Sequence, residues 1–241
     1  MKRIRLIIPA LLLMFAFSGC KNLGKEKIFN GVELYHTEGV SDTLANTLGN
    51  YLISSQFADG KAKTVQLTKA GDTYLFRFVV KDGAEKDSSI TQPTKYFASL
   101  LSADIFSGAP VRVEMCDALM NTIKTFTSVE LGKKKIVNGL ELYHTAAITD
   151  AQVDSLGSYL VATHFANGQA KTAQIAKSGT TYQFRFVVNP GVEKDPDYIK
   201  NSKVYGADIS AGAFGGAPVE LHLCDKYLNT LVVVPMDSAA K

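Results

Sequence analysis

Val32-Glu33-Leu34-Tyr35-His36 alternates apolar and polar residues, the period-two pattern of a strand with one face buried. Over residues 41–57 the period changes. Leu44, Leu48, Tyr51 and Leu52 recur at helical spacing, and Phe57-Ala58-Asp59-Gly60 predicts a glycine stop. Residues 63–80 return to alternation in two runs, split by Lys69-Ala70-Gly71-Asp72 as a hairpin would be. The pattern then predicts a second helix over 93–106, a strand over 111–116, a turn over 117–121 and a last strand over 122–127.

The whole pattern occurs twice. Asn30-Gly31-Val32-Glu33-Leu34-Tyr35-His36-Thr37 returns as Asn138-Gly139-Leu140-Glu141-Leu142-Tyr143-His144-Thr145, and residues 30–87 match 138–195 at 32 of 58 positions. Such agreement requires duplication, so each predicted element must make sense in two sequences. In the second copy Thr149 and Gln152 form a capping box that opens the first helix. Asp195-Pro196-Asp197 similarly opens the second helix with an N-cap, a proline and an acid. The last strand falls at 230–234. Each copy of about 100 residues is large enough for its own core.

The order β-α-β-β-α-β-β predicts an α+β class: two tandem ferredoxin-like domains, each an antiparallel sheet with two helices on one face. A saddle like that of the TATA-binding protein, or another α+β sandwich, is the alternative. The expected boundaries are a signal over 1–19, a tether over 20–27, repeats over 28–127 and 136–234, a linker over 128–135 and a tail over 235–241. Lys133-Lys134-Lys135 falls in that linker and reads as a solvated connector.

Lys2, Arg3 and Arg5 precede an apolar run from Leu6 to Phe17, which is too short to span a bilayer. The closing Phe17-Ser18-Gly19-Cys20 resembles the lipobox of bacterial lipoproteins, with Phe17 where leucine is usual. That resemblance implies cleavage before Cys20, a diacylglycerol thioether on its sulfur, and a fatty acyl chain such as palmitate on its new amino group. Lys21 then implies the outer membrane if the host has one. Several acyl chains anchor a protein stably where one does not. Removing the signal also changes the charge. The chain has 26 basic and 23 acidic residues, three of the basic ones are Lys2, Arg3 and Arg5, and the remainder balance at 23 each. A neutral mature chain has no net attraction to nucleic acid, so no nucleic-acid partner is expected.

Alternation places Val32, Leu34, Val65, Leu67, Tyr74, Phe76, Phe78, Val111, Val113 and Met115 under the helices. The other face then carries Glu33, Tyr35, Gln66, Arg77, Arg112, Glu114 and Cys116. Its counterparts are Glu141, Tyr143, Gln174, Arg185, Glu220, His222 and Cys224. In ferredoxin-like order Glu33 and Arg77 would be cross-strand neighbours. The sharper reading makes Glu33, Tyr35 and Arg77, with Glu141, Tyr143 and Arg185, a binding face of aromatic platforms and anion anchors. The plainer one is a solvated face stitched by weak ion pairs. Cys116 and Cys224 could bridge if the copies brought them together.

Motifs for chemistry are sparse. His222-x-Cys224 puts two ligand types on one face, but copy one has Glu114 in place of His222, so no metal site and no cofactor are expected. His36 and His144 read as strand-end hydrogen-bonders, and Glu85-Lys86-Asp87 and Glu193-Lys194-Asp195 as acids that favour a helix N-terminus. The pattern Leu-Gly-x-Tyr-Leu, Phe-Ala-x-Gly, Lys-Thr-x-Gln, Thr-Tyr-x-Phe-Arg-Phe-Val-Val resembles repeats of bacterial envelope proteins and implies no activity. The expected function is therefore a membrane-anchored binding or adaptor lipoprotein with an envelope protein as partner. A structural component of an envelope assembly is second, and a hydrolase with a cryptic site third.

Overall fold

Asn30 and Gly31 have φ of 43° and 86°, and Asn138 and Gly139 have 41° and 85°. Two consecutive positive φ values make the tight primed turn that matches the twist of a hairpin. Each Asn-Gly pair therefore joins two strands, the first of which lacks a strong alternation signal. The computed structural model describes residues 23–235, so the expected signal over 1–19, Cys20 and residues 236–241 lie outside the described residues. Repeat one runs β1 Lys25–Phe29, β2 Val32–His36, α1 Asp42–Ser54, β3 Lys63–Ala70, β4 Thr73–Val79, α2 Ser88–Asp104, β5 Val111–Cys116 and β6 Thr122–Thr127. Repeat two runs β7 Lys133–Val137, β8 Leu140–His144, α3 Asp150–Ala162, β9 Lys171–Ser178, β10 Thr181–Val187, α4 Pro196–Phe214, β11 Val219–Cys224 and β12 Thr230–Pro235. The chain divides into two compact units between Glu130 and Leu131.

The α+β class and the tandem duplication hold, as does the β-α-β-β-α-β-β order within each repeat, with one added strand in front. The sheet itself is mixed rather than antiparallel. Six strands lie side by side in chain order; β2 pairs parallel with β3 and β4 with β5, and the other neighbours are antiparallel. Each helix carries the chain back along the sheet, and the strands it joins become direct neighbours, which makes them parallel. Glu33 on β2 and Arg77 on β4 are consequently separated by β3 and are not the expected neighbours.

Both helices cover one face of the sheet. Leu48 and Leu52 of α1 and Phe97 and Leu101 of α2 share a single core with Val32, Leu34, Val65, Leu67, Phe76, Phe78, Val111, Val113 and Met115. The helices also meet each other, with the Tyr51 and Phe97 rings stacked at 6.3 Å. The β2-α1-β3 and β4-α2-β5 crossovers advance in the same direction across the sheet, but their strands point opposite ways. With both helices above the same face, the crossovers must have opposite hands. One of the two is left-handed, a sense found in only about 2% of such connections.

Local differences from the sequence pattern have clear causes. Lys133-Lys134-Lys135 is no connector but most of β7, an edge strand, where lysines discourage pairing with another sheet. Helix α2 starts at Ser88, not residue 93, because Asp87 caps it by accepting from Ser89 N; Pro93 lies inside. Helix α1 ends at Ser54, short of the glycine. Gln56 takes the left-handed position at φ 62°, as His164 does at 60° in repeat two, and Ala58 N donates back to Leu52 O. That reversal aims Phe57 into the core, its ring stacked on Phe97 at 5.6 Å.

β1 and β7 dock on their helices where a glycine leaves room. A methyl group at Gly49 would lie 2.3–2.4 Å from the Phe29 ring, but at Gly157 it would lie 3.2 Å from a Val137 methyl. Gly49→Ala is expected to destabilise repeat one by about 1–3 kcal/mol through overpacking. Gly157→Ala should change repeat two by less than about 1 kcal/mol, because better helix propensity offsets the tight contact. Equal losses for the two variants in denaturant titration of the full chain would contradict this account of the docking.

Candidate functional site

The face opposite the helices is organised by one row of residues in register across all six strands. In repeat one the row reads Glu26, Tyr35, Gln66, Arg77, Glu114 and Thr125. In repeat two it reads Lys134, Tyr143, Gln174, Arg185, His222 and Val233. All point the same way because side chains alternate along each strand.

Arg77 is the centre of the row in repeat one. Its Nε donates to Glu114 Oε2 at 3.1 Å, Nη1 to Gln66 Oε1 at 2.8 Å and Nη2 to the Met120 carbonyl at 2.7 Å. Glu114 is 6% exposed. Its other bonds come from Thr122 Oγ1 at 2.7 Å and Arg112 Nη2 at 3.2 Å. Gln66 in turn donates to the Leu23 carbonyl at 2.9 Å. A guanidinium spread over a carboxylate, an amide and a backbone carbonyl uses most of its fixed fork of donors. The face is therefore not the open platform that alternation suggested. Residues 23–24 and the 117–121 turn reach over it and are bonded to it. Asp117 shapes that turn by accepting from Leu119 N and Asn121 N at 2.9 and 2.8 Å.

Repeat two keeps the arginine and loses its carboxylate. Arg185 Nη2 donates to the Leu228 carbonyl at 2.7 Å, matching Arg77 and Met120. His222 replaces Glu114, and its Nδ1 lies 3.1 Å from Thr230 Oγ1, where Glu114 Oε2 meets Thr122. Arg185 Nε is buried with no hydrogen-bond partner among the described residues. Burial first, then the Arg185 charge, hold His222 below the usual histidine range. A neutral imidazole beside a guanidinium is the lower-energy state, because two like charges at low dielectric repel.

The remaining candidates sit around this row. Glu33 accepts weakly from Thr64 Oγ1 at 3.4 Å instead of meeting Arg77. Tyr35 donates to Glu26 Oε1 at 3.3 Å; burial and then Glu33 and Glu26 push its pKa up to about 12. Tyr143 is buried and is no exposed platform, and the Lys134 ammonium lies 5.7 Å from its ring centre. Glu141 meets Lys134 at 3.9 Å. The face is exposed at both margins. At β1–β2 Ile28 is 70% exposed beside Glu33 and the matching Ile136 61% beside Glu141; at the other edge Thr125 is exposed and Val233 is 47% exposed.

Cys116 and Cys224, which could have bridged, are both free thiols, each fully buried within its own repeat. Alternation places them on the polar face, and the covering turns then bury them. Their sulfurs contact the Glu114 and His222 carbonyls at 3.7 and 3.3 Å, and burial pushes both thiols up. His36 has Nδ1 3.0 Å from the Val40 carbonyl and Nε2 3.2 Å from Asp42 Oδ1, which ties β2 to the start of α1. Among the described residues no cluster of three histidine, cysteine or acidic side chains could hold a metal.

Two participants escaped sequence reasoning, Leu23 and Met120, because each contributes a backbone carbonyl and no distinctive side chain. A signal for the first exists: Leu23-Gly24-Lys25 is repeated at Leu131-Gly132-Lys133, so the duplication extends seven residues further upstream than its densest part suggests.

A family model described as the AF_1994_N family N-terminal domain matches the chain twice, over residues 27–128 and again over 134–235. No curated protein and no solved structure matches it.

Two outcomes follow from this geometry. Glu114→Ala should cost repeat one about 3 kcal/mol, because Arg77 is then left half-buried without its counter-charge. His222→Glu should raise the denaturation midpoint of repeat two, by supplying Arg185 with the missing carboxylate. It should also move the weakness to acid from the histidine range down to the carboxylate range. His222 is held below its unfolded pKa, so that contribution is present above the ordinary histidine range and fades as pH falls through it. An unchanged midpoint in both variants would show that the arginines draw their compensation elsewhere. Separately, Cys116 and Cys224 should resist a water-soluble maleimide in the folded chain and both react after unfolding without reductant. Labelling that needs reductant would revive the bridge.

Proposed function

This chain belongs to the AF_1994_N family through both of its halves, and from that premise we propose that it is a lipid-anchored binding protein of the bacterial envelope. Cys20 carries the anchor, and the exposed β1–β2 and β7–β8 margins carry the contacts. The observation that supports binding most directly is the pair Ile28 and Ile136. Each is a large aliphatic side chain, more than 60% exposed, at the same place on an edge strand in both repeats. Two of their neighbours differ, Glu26 against Lys134 and Phe29 against Val137, while Lys27 and Lys135 match as the isoleucines do. Single exposed aliphatics are common, but repetition at one structural place favours a contact surface. The basic, apolar and small-residue pattern that closes on Cys20 supports the anchor. Lys21 after it favours the outer membrane if the host has one.

A structural role in an envelope assembly draws on the same margin and differs only in its partner. For a hydrolase, the relevant groups are His36 with Asp42 at 3.2 Å, and their contacts fit a pin between β2 and α1.

Cys20→Ala should abolish acylation and move the protein out of the detergent phase, read by mass and by phase partitioning. Ile28→Glu with Ile136→Glu should leave the melting curve within about 1 kcal/mol of the parent, yet remove the protein that crosslinks to it in membranes. Unchanged detergent partitioning for Cys20→Ala would end the lipoprotein reading. An unchanged crosslink would move the contact surface away from these margins.

A further inference from the structure

Only Lys21 and Asn22 stand between Cys20 and Leu23. Leu23 already belongs to the fold, because its carbonyl accepts from Gln66 Nε2 at 2.9 Å. Gly24, at φ 103°, passes so close to the end of β2 that a Cβ there would sit 2.2 Å from the His36 carbonyl oxygen. Repeat two gives an independent check. Leu131 O accepts from Gln174 Nε2 at 3.1 Å, and a Cβ on Gly132 would sit 1.9 Å from His144 O. The same start is thus built in a repeat that follows another domain, so Leu23-Gly24 is domain structure and not tether.

The reach of the anchor follows. Three peptide steps from Cys20 to Leu23 cover at most about 11 Å. A six-residue strand such as β5 is about 20 Å long. The anchor is therefore shorter than the sheet is tall. β1 begins opposite His36, the last residue of β2. The parallel and antiparallel registers place the residue 37–40 loop, the Gly71-Asp72 hairpin tip and residues 108–110 at that same end of repeat one. The 117–121 turn and the Asn30-Gly31 hairpin lie at the opposite end.

We propose that the 37–40, Gly71-Asp72 and 108–110 end of repeat one rests in the lipid headgroup layer, with the 117–121 turn facing away. The partner surface is the membrane itself. This rests on Cys20 being acylated, as proposed above. The exposed charges at that end include Lys25 and Lys69 against Glu38, Asp42 and Asp72, with no basic excess among them. Contact is therefore imposed by the tether rather than by electrostatic attraction. It should persist in zwitterionic lipid and at high salt, where screening removes a charge-driven contact.

The test uses the full acylated chain in phosphatidylcholine vesicles whose headgroups carry a nitroxide quencher. A fluorophore is attached in turn to the Asp72→Cys and Leu119→Cys variants; Cys116 and Cys224 are buried and stay unlabelled. Quenching of the Asp72→Cys probe should exceed that of the Leu119→Cys probe several-fold and survive about 0.5 M salt. Inserting about ten Gly-Ser residues between Asn22 and Leu23, enough to span the sheet, should bring the two probes together. Equal quenching without the insertion, on protein whose mass shows the acyl chains, would overturn the orientation alone. Protein that lacks the acyl mass and does not float with vesicles would overturn the anchor and the orientation with it.

Discussion

A sheet has two faces, and the helices of each repeat cover only one. The second face depends on a guanidinium. Arg77 holds the carbonyl of Met120, the amide of Gln66 and the carboxylate of Glu114 at once, and so binds the 117–121 turn down over the strand ends. Without such a clamp, Cys116 would lose its covering turn and Gln66 would lose the partner that orients its amide toward Leu23. Ionic hydrogen bonds with this geometry are stronger than neutral ones, and burial of the carboxylate spares them from screening. The clamp fills the middle of the face and leaves the margins exposed.

The duplication compares two solutions to the same problem. Repeat one neutralises its arginine with a buried carboxylate; repeat two uses a neutral imidazole in the same hydrogen-bonding place and leaves one guanidinium nitrogen unpaired. The turn geometry survives the exchange, since Arg185 still reaches Leu228 as Arg77 reaches Met120. Backbone capture is therefore the shared part of the design, and the charge partner is the variable part.

Much of this was legible in the residues. Alternation assigned the core side of β2, β3, β4 and β5, because one face of each strand is buried and a one-residue slip would expose every core side chain. Duplication supported elements that a single copy leaves ambiguous, such as the capping box of α3. The Asp195 cap, however, was legible only in the second copy, and its counterpart Asp87 was overlooked as the start of α2. What stayed hidden was non-local. Which strands become neighbours depends on the hand and length of each crossover, and neither is encoded in a period. Glu33 and Arg77 thus looked adjacent when β3 lies between them. The cover over the second face was hidden for a different reason, since the contacts that hold it end on main-chain carbonyls. β1 was overlooked although Asn30-Gly31, the strongest short hairpin signal, stood at its end.

The lysines of β7 have a consequence for how such a chain reaches its native state. Two nearly identical units on one polypeptide can exchange matching strands during folding, a familiar failure of tandem domains. An unpaired outer edge is where that exchange or intermolecular pairing would begin. Along β7, Lys133, Lys134 and Lys135 follow one another, while β1 carries Lys25, Glu26 and Lys27. Two β7 edges from different molecules would bring their lysines together, and repulsion among those charges opposes sheet-to-sheet pairing at that edge. What looks like a basic linker is thereby a safeguard on solubility, written into the second copy more heavily than into the first.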